Sequence, residues 1–136
     1  MAKELSPEQK IIHTLNRTTF GPRADEIREA KRVGIESYLN QQLRPETISD
    51  ALVEDKLAHL KTLRLTSRDL YERYPPPKQA ASSPAMDSSS MQGPRFVIFE
   101  LQRARLLRAV YSKRQLFETM VDFWTNHFNI FAAKGA

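Results

Sequence analysis

Residues 114–128 read RQLFETMVDFWTNHF, and the spacing of their apolar positions decides the fold class. At 100° per residue, Leu116, Phe117, Met120, Val121, Phe123, Trp124 and Phe128 occupy an arc of roughly 160°. Glu118, Asp122, Thr125 and Asn129 take the opposite side. An arc this wide predicts a helix that needs partners over much of its circumference. Just before it, Ser112 and Gln115 stand at the Ser-x-x-Gln spacing of a capping box. The preceding stretch, FVIFELQRARLLRAVY at 96–111, predicts a second long helix with Val97, Leu101, Ala104 and Tyr111 facing inward. Arg108 falls inside that face, where an arginine must snorkel or pair with a carboxylate. Asp122 and Glu118 on the next helix are its natural partners.

The N-terminal half carries the same period in shorter pieces. Ser6-Pro7-Glu8-Gln9 combines a Ser cap, Pro at the first helical position and Gln three residues after the cap. Ile11, Ile12 and Leu15 then share one face, and the helix ends before Phe20-Gly21-Pro22. A second helix is expected over Arg23 to Val33, with Ile27, Ala30 and Val33 inward and Gly34 as a left-handed cap. A third runs from Ile35 to Leu43, presenting Ile35, Tyr38, Leu39 and Leu43 before Pro45. Ser49 to Leu63 carries a fourth pattern through Leu52, Leu57 and Leu60, and Thr66 to Tyr74 adds a further turn or two. No alternating strand pattern bounded by turn signals occurs. The fold class is therefore all-α, a small bundle or array of about five to six helices.

Residues 75–94, PPPKQAASSPAMDSSSMQGP, hold five of the eight prolines and no aromatic residue. Such a stretch cannot bury enough surface to offset the entropy of ordering it, which predicts a disordered insertion. The expected organisation is one domain, with helices in 1–74, a flexible loop over 75–94, and two long helices in 95–136 packing back on the first set. The final helix has too few expected companions to cover its apolar face. We therefore expect the chain to be an N-terminal fragment of a larger helical protein.

Composition narrows the classes. The 136 residues carry 21 Lys plus Arg against 16 Asp plus Glu, a net charge of +5. No run reaches the ~18 apolar residues that suggest a membrane-spanning helix. The absence of cysteine excludes disulfides, thiolate nucleophiles and Cys-ligated zinc. Nothing at the N-terminus marks export, so the default expectation is a cytoplasmic protein.

Three blocks carry a resemblance: HTLNRTTFGPRADEI at 13–27, GIESYLNQQLRPE at 34–46, and LLRAVYSKRQLFETMVDFWTNHFNIFAAKGA at 106–136. In order and spacing they resemble the N-terminal region of a large bacterial family of unknown function, DUF1800. The last block, with Trp124 and Asn126-His127-Phe128, is the most specific. The resemblance implies a longer, largely helical protein with no assigned activity. It transfers no catalytic residue to any position here.

Four constellations could carry chemistry. His127 sits mid-arc near Met120, Phe123 and Trp124, where burial would keep it neutral for metal or haem ligation or base work. Aromatic neighbours such as Trp124 would also suit a flat apolar ligand. The structural alternative is a core histidine bonded to a carbonyl. A metal needs three or four convergent ligands, and Glu118 and Asp122 point away, so no metal is expected from this helix. His13 and Arg17, one turn apart, could grip a phosphate or carboxylate, or form a solvated face. His59 adds no ligand spacing.

Arg95, Arg103, Arg105, Arg108, Lys113 and Arg114, opposed by Glu100, invite a nucleic-acid reading. The arginines project in different directions and form no stripe, which argues against nucleic acid as a partner. Phe20-Gly21-Pro22 could bring Arg17 and Arg23 to an anion at a helix start, though a plain turn accounts for it. No phosphate-cradling or nucleophile-elbow motif occurs, and no cofactor is assigned. The residues favour a structural segment completed by the rest of the same protein. The alternatives are an enzyme or ligand-binding protein using His127, with His13 and Arg17, and a nucleic-acid module.

Overall fold

The structure is a computed structural model that describes residues 5–75 and 93–128. Its helices are α1 (Pro7–Thr18), α2 (Ala24–Val33), α3 (Ile35–Gln42), α4 (Ala51–Ala58), α5 (Ser67–Arg73), α6 (Pro94–Tyr111) and α7 (Gln115–His127). Short 3₁₀ turns cover Pro45–Thr47 and Lys61–Arg64, and no strand occurs among the described residues. The all-α class is as the sequence predicts. The insertion expected over 75–94 lies outside the described residues, apart from its ends at Pro75, Gly93 and Pro94.

The chain divides into two units, residues 1–51 with 109–136, and residues 52–108. In the first, the capping box at Ser6 forms as expected: the Gln9 amide donates to Ser6 Oγ, and Gln9 Oε1 accepts from the Ser6 amide. Leu15, Ala30 and Tyr38 make the buried core, with Ile11, Ile27 and Val33 packed around it. These are the α1, α2 and α3 positions that helical periodicity aims at one another. Gly34 links α2 to α3 at φ +85°, a backbone conformation that costs glycine little and other residues more. Leu43, expected inward, is exposed, since α3 ends at Gln42.

In the second unit the predicted helix over 49–63 is broken. α4 stops at Ala58 and the chain resumes as the 3₁₀ turn Lys61–Arg64. The reason is a buried carboxylate. Glu100 Oε2 accepts from the Thr62 amide at 2.7 Å and from Thr62 Oγ1 at 2.6 Å. A continuous α-helix would direct that amide to its own carbonyl four residues back. Val53, Leu60 and Ala104 supply this unit's buried apolar side chains. α5 starts with a capping box in which Asp69 accepts from the Thr66 amide and Thr66 Oγ1 accepts from the Asp69 amide. The buried line of α6 runs through Glu100 and Ala104, whereas Leu101 and Tyr111, both expected inward, are exposed.

The largest departure is α7. Its polar side is the covered one: Gln115 is 1% exposed, and Glu118, Thr119 and Asp122 are half-buried. Its apolar side, Phe117, Met120, Val121, Phe123, Trp124 and Phe128, is exposed. The helix forms as its period predicts, but it is turned with its apolar face outward. The polar contacts that hold its start explain this orientation.

Candidate functional site

The connection Ser112-Lys113-Arg114 between α6 and α7 is gripped by side chains from elsewhere in its unit. Asp50 accepts from Ser112 Oγ at 2.7 Å and from the Lys113 amide at 2.8 Å. Gln42 donates through Nε2 to the Lys113 carbonyl and accepts at Oε1 from the Leu116 amide. Arg23 donates to the Val110 and Ser112 carbonyls, and its guanidinium pairs with the buried Glu26 at 2.8 Å. Gln115 donates to the Ala109 and Ser112 carbonyls and accepts from the Phe20 amide. Arg114 Nε donates to the Ile48 carbonyl.

These groups satisfy the carbonyls that end α6 and the amides that begin α7, as the termini of helices require. They also set the rotation of α7 about its axis, because Gln115 must point inward. Ser112 and Gln115 therefore do not form the predicted capping box. Arg114 takes the cap position without a side-chain cap bond, and both polar residues are fully buried parts of the grip. Arg23, a candidate anion ligand in the sequence, is instead engaged by carbonyls and Glu26.

The exposed end of α7 carries an aromatic cluster. The Trp124 and Phe128 rings stack at 5.5 Å, and Phe123 meets Trp124 edge-on at 5.2 Å. His127 lies parallel to Phe123 at 5.7 Å and edge-on to Trp124 and Phe128 at 5.5 and 5.3 Å. These separations suit favourable aromatic pairing. His127 is exposed, not buried as the sequence suggested. The physical reason is again the rotation of α7, which places the whole apolar arc outward. His127 and Trp124 are thus brought together on one surface.

His13 and Arg17 are exposed on α1, on the side away from Leu15. Among the described residues no group of three metal-binding side chains gathers. Arg114 is bonded to Ile48, and Arg108 is half-buried. Sequence reasoning missed Gln42 and Asp50, and it gave Ser112 and Gln115 the wrong task. Their only early signal was polarity close to apolar positions.

Tyr38 is 4% exposed and its hydroxyl is pushed up to about 12 from the usual 10.0, by burial first and then by the negative charge of Glu26. The folded state therefore keeps the proton where the unfolded chain releases it. The associated stability is present below pH 10 and is lost as pH rises from there through about 12. Ultraviolet difference titration is expected to show one tyrosine ionising late, together with the onset of alkaline unfolding. Tyr38→Phe should remove that late step; its survival would assign it to another tyrosine.

Neither a curated protein nor a solved structure matches this chain. No helix among the described residues is long and apolar enough to cross a membrane. A family model described as "Protein of unknown function (DUF1800)" matches residues 13–136, from within α1 through α7 and including both the polar grip and the aromatic cluster. The chain belongs to the DUF1800 family.

Proposed function

We propose that this chain is a structural segment whose α7 face packs against an amphipathic helix from the remainder of the same polypeptide. One observation carries the reading: the helix exposes Phe117, Met120, Val121, Phe123, Trp124 and Phe128 while covering its polar side. At typical side-chain areas these six expose on the order of 600 Å², at the top of the range for the largest patch on an ordinary monomer. The specific row Phe117, Val121, Trp124, Phe128 repeats at alternating four- and three-residue steps. That is the spacing into which the side chains of a second helix interlock.

Trp124 is the only tryptophan and is 46% exposed, so its emission reports directly on this face. The 136-residue chain is expected to emit as a solvated indole and to bind a hydrophobic dye. A longer polypeptide expressed from the same reading frame should shift the emission to the blue and lose most dye binding. Red emission persisting in the longer polypeptide would overturn the proposal. A blue-shifted dimer of the 136-residue chain would also overturn it, by placing a second copy on the face.

A further inference from the structure

The outward face of α7 holds one side chain that can donate from an imidazole. At about 100° per residue, His127 falls between Phe123 and Trp124 around the helix, inside the apolar arc. Among the described residues its interactions are with three rings: Phe123 at 5.7 Å, Trp124 at 5.5 Å and Phe128 at 5.3 Å. Neither the imidazole nor the Trp124 indole takes part in a hydrogen bond among the described residues. Asp122, the acid nearest to His127 in sequence, accepts from Asn126 Nδ2.

Both side chains are exposed, so solvent serves their N–H groups in the 136-residue chain. A helix laid over Phe123 and Trp124 also covers His127, which lies between them, and removes that solvent. A polar group covered without a partner opposes the covering, and buried polar groups in folded proteins are nearly always bonded. The neighbouring phenyl rings supply no acceptor. The acceptor therefore has to come from the covering helix. The backbone carbonyls of a helix are engaged in its own ladder, so the acceptor is a side chain.

The donors decide which kind of side chain fits. An indole offers an N–H alone, and an imidazole offers at least one N–H. A hydroxyl or an amide would bring donors of its own, for which the cluster has at most one ring nitrogen. A carboxylate brings two acceptor oxygens and no donor, and its bonds from N–H groups are of the stronger, charge-assisted kind. Resting on the reading that a helix of the same polypeptide covers this face, we propose that the covering helix sets one aspartate or glutamate carboxylate against His127. The Trp124 indole N–H is the second donor available to it. In an apolar seam a single polar pair specifies the register, because a shifted register buries both of its members unpaired.

The test follows Trp124 emission through urea in the longer polypeptide of the same reading frame, with any further tryptophan changed to phenylalanine. His127→Phe enlarges the apolar face but removes the donor and leaves the carboxylate unpaired. It is expected to lower the urea midpoint at which the emission moves to the red by about 1 M. His127→Gln keeps a donor and should lower it by less than half as much. Neither variant should move the unfolding midpoint of the 136-residue chain, in which the side chain is exposed. Changing each Asp to Asn and each Glu to Gln in the remainder should find one acid whose neutralisation is non-additive with His127→Phe. A midpoint unchanged or raised by His127→Phe, as a purely apolar seam requires, would overturn the proposal, as would the lack of any coupled acid. In either case a blue-shifted wild type leaves the covering helix standing. A wild type that stays red overturns both readings.

Discussion

Asp50→Ala is expected to lower the free energy of unfolding by about 3–4 kcal/mol. The side chain is 7% exposed and accepts two hydrogen bonds, one from Ser112 Oγ and one from the Lys113 amide. Alanine removes both acceptors. Ser112 is fully buried, so its hydroxyl loses its acceptor, although its oxygen still accepts from the Arg114 amide. Stranding a buried donor costs about 1–3 kcal/mol each, and a carboxylate acceptor lies at the stronger end. Asp50→Asn keeps one carbonyl acceptor and should lose roughly half as much. Urea unfolding followed by far-UV circular dichroism measures the cost. Hydrogen exchange should show the Lys113 and Leu116 amides opening first. A loss below about 1 kcal/mol would mean that Gln42, Arg23 and Gln115 hold the connection without Asp50.

The second large effect is expected at Glu100→Ala in the other unit, about 3 kcal/mol. A single carboxylate oxygen accepts both the amide and the hydroxyl of Thr62, and both residues are buried. The bonds of 2.7 and 2.6 Å are the short, charge-assisted kind. Without them the Thr62 amide is left unpaired in the interior, and the 3₁₀ turn Lys61–Arg64 loses its anchor. A double-mutant cycle separates this pair from general packing. Thr62→Val removes the hydroxyl but keeps the amide bond, so by itself it should cost about 1–2 kcal/mol, and much less on the Glu100→Ala background. Equal losses on both backgrounds would show that Glu100 acts through something other than Thr62. In the sequence Glu100 was the lone acid among arginines of α6; in the fold it serves a threonine.

Much of the local structure was legible in order. The capping box at Ser6-Pro7-Glu8-Gln9, the stop at Phe20-Gly21-Pro22 and the glycine hinge at Gly34 all follow from backbone chemistry that acts within a few residues. The core trio Leu15, Ala30 and Tyr38 followed from helical period alone. The break after Ala58 did not, because its cause is a carboxylate 38 residues beyond Thr62. Leu101 was placed inward and is exposed for a related reason: the buried line of α6 is set by Glu100, a residue that periodicity assigns to the surface. Of the candidate site, the proximity of His127 to Trp124 and Phe123 was readable from their spacing, but the burial expected for His127 was not realised.

By itself the sequence determined that this protein is helical, where most helices start and stop, and to which family it belongs. Those properties rest on interactions between residues a few positions apart, which a linear reading contains. Only the tertiary structure decided which side of α7 faces inward and what Asp50, Gln42 and Gln115 are for. Each of those depends on hydrogen bonds between segments distant in the chain. Periodicity shows that a helix has two faces; the polar grip at its start determines which of them turns inward.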